Sequence, residues 1–311
     1  MSRAVYVPLL VAVLLALVAP RLTRRLSPRL ATWTLTITAM VVATASLASL
    51  GLLAWLLVAE LPPVAGIGRW QPGAVAASPV PPEIAAAALA GLAWMAWRLA
   101  RRVAAVVGEA RLVLSLERRL PSRHGPARLV VLDDPVPSAH ALAGLPRCGG
   151  HILVSTGILQ ALDDTDLRHA VLAHERAHLR HHHATIRVVV DLARAINPLL
   201  RRVSLQVGFL LERWADEEAA TATSRAIAAE ALATVSLASG PASPHLAFHD
   251  LGVPARVAAL LDHPTESRPR AVALGTALGA SVVVSAFAIL HACLETETFF
   301  ETIRSWQQLR G

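Results

Sequence analysis

Val171-Leu172-Ala173-His174-Glu175-Arg176-Ala177-His178-Leu179-Arg180 is the stretch on which the fold of this 311-residue chain turns. Apolar residues surround a pair of histidines four positions apart. In a helix that spacing stacks two side chains on one face. Two imidazoles aimed at one point suit a tetrahedral metal, and Glu175, beside the first of them, is placed to take a proton from a metal-bound water. Thirteen histidines make a chance match conceivable, so the motif has to be weighed with its surroundings. The helix that carries it is expected over residues 163–185, capped by Asp163, Asp164 or Thr165.

A catalytic zinc of this kind needs a third protein ligand and an open position. Glu212, in Glu212-Arg213-Trp214-Ala215-Asp216, lies 34 residues beyond His178 on a second expected helix. That helical stretch follows the Asn197-Pro198 break and contains residues 210–237. Asp216, one turn after Glu212, could accept the other N–H of a ligating histidine and fix its tautomer. The plainer alternative is that Glu212, Asp216, Glu217 and Glu218 form a solvated helix face. Against it, Glu212 follows the apolar run 207–211, which should turn it inward. His181, His182 and His183 are expected to continue the ligand helix as polar groups near its C-terminal dipole, rather than to hold a second metal.

Outward from the motif, composition sets the environment. The chain is 54% hydrophobic and only 16% charged, with a mean hydropathy of +0.51. Its apolar residues gather in blocks, which points to membrane spans. The runs at 5–19, 32–59, 84–97 and 271–293 give four expected spans. The first is short enough that a signal-peptide core is a rival, but Arg21, Arg24, Arg25 and Arg29 follow it while Arg3 alone precedes it. With Arg98, Arg101 and Arg102 after the third run, and Arg268 and Arg270 before the fourth, both termini are expected outside. The Pro- and Gly-rich stretch 60–82 reads as an extracytoplasmic loop. Residues 1–100 then hold three spans, 101–270 a cytoplasmic domain, 271–293 the fourth span, and 294–311 a short extracytoplasmic tail.

The cytoplasmic region opens with a separate linking helix expected over 103–120. Strand-like runs follow at 128–132 and 152–155, with a further extended segment within 138–145. Basic residues outnumber acidic ones by 29 to 22, yet there is no Lys, so every strong base is Arg. Codon bias and positive-inside topology account for that excess, and no direct nucleic-acid partner is expected. Cys148 and Cys293 form no metal or disulfide pattern.

The zinc motif, the Glu212-x-x-x-Asp216 element and the placing of three spans before and one after resemble the BlaR/MecR type of membrane zinc metallopeptidase. Heat-shock-type and CAAX-processing membrane peptidases are the broader gluzincin relatives. Ser138-Ala139-His140-Ala141-Leu142 followed by Ile152-Leu153-Val154-Ser155-Thr156-Gly157-Ile158-Leu159 is similar to the strand pair before the zinc helix in both groups. The resemblance implies a mainly α-helical membrane protein with an α+β gluzincin-like domain between its third and fourth spans. It implies Zn2+ as cofactor, His174, His178 and Glu212 as ligands, Glu175 as general base and Asp216 as the partner behind a ligating histidine. It further implies an edge strand near 139–143 for substrate, and an oxyanion role for Arg256, whose plainer alternative is a surface arginine. The implied partner is a protein or peptide substrate, such as a cytoplasmic penicillinase-repressor-type regulator; a quality-control peptidase is the runner-up.

The antibiotic-sensing members carry a penicillin-binding domain after the last span. Here 294–311 follow and no Lys is present, so direct acylation by a β-lactam is not expected. A metal-handling membrane protein would place polar groups within its spans; these spans are almost wholly apolar, carrying Thr and Ser with His291 as the exception. A non-catalytic zinc sensor would not need Glu175.

Overall fold

The structure, a computed structural model, describes residues 3–22, 26–70, 80–117, 128–143, 150–239, 252–262 and 268–308. Arg24, Arg25, Cys148, residues 71–79 of the 60–82 loop and the last three residues lie outside the described residues.

Helix α1 (Val7–Leu22) follows a short 3-10 turn, and α2 (Pro28–Ala59) opens with Pro28 at its first position, where no N–H is needed. Hydroxyl groups within the apolar α2 donate to the carbonyl one turn back, as Thr34 does to Leu30, Thr38 to Thr34, and Ser46 to Val42. Such back-bonding satisfies these hydroxyls inside an apolar helix, whereas Thr32 and Thr36 Oγ1 are buried with no hydrogen-bond partner among the described residues. After the short α3 (Pro62–Gly68), α4 (Pro82–Glu117) runs for 36 residues. The third span and the linking helix expected at 103–120 are therefore one element. No helix breaker separates them, and Arg98 and Arg101 lie over Trp94 and Trp97, at 4.9 and 4.8 Å from the ring centres.

Strands β1 (Arg128–Leu132), β2 (Ala139–Leu142) and β3 (His151–Ser155) form a sheet of order β1-β3-β2. β1 runs parallel to β3, with Arg128 opposite His151, and β2 runs antiparallel to β3, with Leu142 opposite His151. Ile152 and Val154 point to one face, as alternation in a strand requires. They are buried with Ile158, Leu162 and Leu167 from α5 (Thr156–Ala161), α6 (Thr165–Arg180) and the segment between them.

The chain leaves α6 earlier than the sequence suggests. His181 and His182 form a turn, with His182 in the left-handed region at φ 52°, and α7 (His183–Ile196) starts at once. Asn197 and Pro198 close that helix, and α8 (Arg201–Ala222) returns antiparallel to it. The second expected helical stretch is likewise divided, at Thr223 and Ser224, before α9 (Arg225–Ser239). Helix α10 (Val253–Leu261) and the 41-residue α11 (Arg268–Gln308) complete the described chain.

Among the described residues, three helices are long and apolar enough to cross a membrane: Pro28–Ala59, Pro82–Leu116 and Gly279–Trp306. α1 is shorter, about 24 Å at 1.5 Å per residue against a hydrocarbon core of roughly 30 Å. α11 continues to Gln308, so the tail expected from 294 is helical over its described part. Phe300 there meets the rings of Trp55 and Trp70.

The α7–α8 hairpin does not stand apart from the spans. One core joins Leu15 of α1, Leu35, Ala39 and Val42 of α2, Val190 of α7, and Val203, Val207, Leu210 and Trp214 of α8. At the hairpin tip the Asn197 amide donates to Ser46 Oγ in the middle of α2, at 2.9 Å.

Candidate metal centre

Asp164 caps α6 by accepting from the amide of Asp166 at 2.7 Å. That fixes the start of a helix whose buried face, Leu167, Ala170 and Ala177, docks it on its neighbours. The next face over carries His174 and His178, and their Nε2 atoms come to 3.1 Å from one another. α8 crosses opposite and brings Glu212 Oε2 to 3.6 Å from His174 Nε2, and Oε1 to 3.8 Å from His178 Nε2. His174, His178 and Glu212 can place one donor atom each within 4.8 Å of the others. Tetrahedral zinc with bonds of about 2.0–2.1 Å separates two ligand atoms by roughly 3.3 Å. The donor set and its spacing fit that ion.

Behind these groups lies a buried relay. Asp216 accepts from His174 Nδ1 at 3.0 Å and from Arg256 Nε and Nη2 at 2.7 and 2.6 Å. Arg256 Nη1 is 3.3 Å from Glu212 Oε2, so one guanidinium joins the third carboxylate to the one behind His174. Asp216 and Arg256 are both 4% exposed. At that depth Arg256 is a partner of two carboxylates rather than a surface arginine, and an oxyanion contact would require Nη1 to turn from Glu212.

Protonation follows from these contacts. Burial works against a charged His174, yet Asp216 and then Glu212 outweigh it and raise its pKa to about 10. Burial, with the neighbouring His174 and Arg256, lowers His178 to about 4 despite Glu212. Burial would raise the Asp216 carboxyl, but Arg256 and His174 keep it below the ordinary carboxylate range.

Glu217 and Glu218 are turned elsewhere. Glu217 pairs with Arg225 at 2.7 Å. Glu218 pairs with His181 at 3.0 Å and Arg180 at 3.4 Å. The solvated-face reading of that acidic run therefore suits these two and fails for Glu212 and Asp216, which the helix turns inward. The turn at His181 and His182 likewise breaks the expectation that the histidine run extends the ligand helix. His181 lies flat on Trp214, with ring centres 4.6 Å apart. His183 is 2% exposed and sits 3.0 Å from His178 through the two Nδ1 atoms. Sequence spacing carried no sign of that contact, because it depends on a left-handed residue.

Residues 110–243 match the family model described as Peptidase family M48. A segment of 105 residues is 34% identical to a protein of Aeropyrum pernix named "Protease HtpX homolog", covering 33% of this chain and 32% of that relative. The chain thus spans about a third of the length of the curated relative it matches. No solved structure matches the chain.

Proposed function

We propose that this chain, whose residues 110–243 match the Peptidase family M48 model, is an integral-membrane zinc-dependent endopeptidase. The observation that carries this reading is the convergence of His174, His178 and Glu212 on one point, with Glu175 next to the first of them. A zinc ion bound there supplies a Lewis acid that acidifies a water and polarises the scissile carbonyl. Glu175 takes the proton of the attacking water and hands it to the leaving amine. Asp216 holds His174 in the tautomer that offers Nε2, and Arg256 keeps Asp216 ionised and holds both it and Glu212 in place. Substrate lies along the edge of β2 away from β3, where no further strand is paired among the described residues, and adds as an extra strand.

The peptidase domain, residues 101–270, belongs on the cytoplasmic side, with both termini outside. The site sits at the basic ends of the spans, which supports this orientation. Arg29, at the start of α2, lies 5.7 Å over the ring of Trp214 between the two site carboxylates. Arg98 and Arg102 of α4 contact α7, the helix that follows the first two ligands. Excess positive charge marks the cytoplasmic side of spans. Among substrates, quality-control cleavage of membrane or misfolded proteins is favoured over cleavage of a transcriptional repressor, because the matched relative is a protease of the HtpX type.

The deciding experiment uses the purified full chain in detergent, with zinc content and cleavage measured for wild type and Glu175→Ala. An unfolded membrane protein and a penicillinase-repressor-type protein serve as competing substrates. Zinc retained with cleavage reduced roughly 10²–10⁴-fold is the expected result for the variant. Wild type without zinc would end the reading, and preferential cleavage of the repressor would reverse the choice of substrate. Reporter fusions at Arg25, Trp70 and Gly240 test the orientation; a reporter at Gly240 found outside would overturn it.

A further inference from the structure

His174 and His178 turn Nε2 toward each other and toward Glu212, so each ring presents Nδ1 away from the site. An imidazole that ligates a metal through Nε2 carries its proton on Nδ1, and that N–H needs an acceptor to fix ring and tautomer. For His174 the acceptor is Asp216 Oδ1, at 3.0 Å. For His178 the atom at the corresponding place is Nδ1 of His183, also at 3.0 Å. The two rings stand at 88° to one another, with centres 4.8 Å apart, so the contact is edge-on and not a stack.

Backbone geometry makes this contact deliberate. In an unbroken helix a residue five positions on lies roughly 140° around the axis from the first, on another face. The chain instead ends α6 at Arg180 and turns through His182 at φ 52°, ψ 41°. A left-handed conformation is uncommon for a residue with a Cβ. Its effect is to bring the first residue of α7 back onto the last ligand of α6. His183 is then wedged 4.9 Å from the ring of Trp214, and its Nε2 is buried with no hydrogen-bond partner among the described residues. A buried polar atom left unpaired costs free energy, so packing alone would favour an apolar side chain here.

Resting on the zinc-peptidase reading, we infer that His183 is a positioning residue for the metal centre. Its unprotonated Nδ1 accepts from Nδ1–H of His178 and so commits His178 Nε2 to the metal. The two ligand histidines are thereby held by different chemistry: His174 by an ionised carboxylate, His178 by a neutral ring. The neutral ring adds no further negative charge to a site that already faces Glu175, Glu212 and Asp216.

Two amide substitutions separate positioning from packing. In His183→Asn the amide oxygen takes the place of Nδ1; in His183→Gln the amide reaches the place of Nε2 and leaves His178 without its acceptor. Zinc affinity is measured on the full chain by competition with a chromogenic chelator. The absorption bands of the cobalt-loaded protein are recorded alongside, with kcat and KM for peptide cleavage. His183→Gln and His183→Ala should weaken zinc binding roughly 10- to 100-fold, alter the cobalt bands and lower kcat more than KM, while His183→Asn stays near wild type. Equal zinc affinity and unchanged cobalt bands in all variants would overturn the inference, as would equal losses in His183→Asn and His183→Gln. A wild-type protein that binds no zinc would instead remove the zinc-peptidase reading itself.

Discussion

At the scale of single residues, the site is a set of ionisable groups that only make sense together. Asp216 is buried between His174 and Arg256, and each contact depends on its charge. Asp216→Asn should weaken zinc binding roughly 10- to 100-fold, read by chelator competition, because His174 loses its anionic acceptor. Asp216→Ala strips the buried Arg256 of its main partner and should cost about 3–5 kcal/mol in thermal or denaturant unfolding. The carboxyl is held below its ordinary value, so its contribution is present above the unfolded pKa of 3.8 and is lost as pH falls through the acid range below it. Unfolding followed from pH 6 downward should show that loss in the wild type and not in Asp216→Asn.

His174 runs the other way. Its pKa is raised to about 10. In metal-free protein the stabilisation from its proton is therefore complete below the unfolded value of 6.5 and fades as pH climbs toward 10. Zinc must displace that proton. Calorimetry in buffers of different ionisation enthalpy should register about one proton released per zinc at neutral pH, with affinity rising about tenfold per pH unit. Release of no proton would mean that His174 is neutral before the metal arrives.

At the scale of elements, the α7–α8 hairpin is what carries Glu212 back to the two histidines. A buried charge cluster ties that hairpin to α4. Asp191 of α7 accepts from Ser204 of α8 at 2.7 Å and from Arg102 of α4 at 3.3 Å. Arg187 and Arg194 lie 3.6 Å away on its own helix. Arg98 of α4 donates to the carbonyls of Arg194 and Ala195, both at 3.2 Å, and so satisfies the C-terminal end of α7. Asp191→Ala removes the acceptor of Ser204 and Arg102 and should destabilise by about 1–3 kcal/mol, and Arg98→Ala, which removes two charge-assisted hydrogen bonds, should cost about 1.5–3 kcal/mol. Thermal melts in detergent read both; negligible effects in both would mean that α4 and the hairpin are held by apolar contact alone.

At the scale of the whole molecule, the peptidase region and the spans share a core. Leu35, Ala39 and Val42 of α2 meet Val190, Val203, Val207 and Leu210 with no solvent between them. Residues 101–270 expressed without the first two helices should expose that face and aggregate, as judged by size-exclusion chromatography. A monodisperse, zinc-binding fragment would show that the shared core is dispensable.

Much of this was legible in the sequence because it depends on local periodicity. The four-residue spacing of His174 and His178 places both on one helix face whatever the rest of the chain does. The apolar runs at 32–59, 84–97 and 271–293 fall within α2, α4 and α11, and the strand-like runs at 128–132 and 152–155 appear as β1 and most of β3. The inward turn of Glu212 followed from the apolar residues ahead of it. What escaped were the events that periodicity does not encode. A helix-compatible run of histidines broke at His182, because docking α7 beside α2 and α4 outweighs continuing α6. The linking helix fused with α4, because no residue there stops it. The roles of the acidic run were divided between inward Glu212 and Asp216 and outward Glu217 and Glu218 by the rotation of α8 alone. Sequence by itself determined the donor types, their helical spacing and the membrane setting, since those are set by residue chemistry and the short-range geometry of the backbone. Only the tertiary structure decided which group stands behind each ligand, because those contacts join residues from 5 to 42 positions apart and exist only once α6, α7, α8 and α10 are packed.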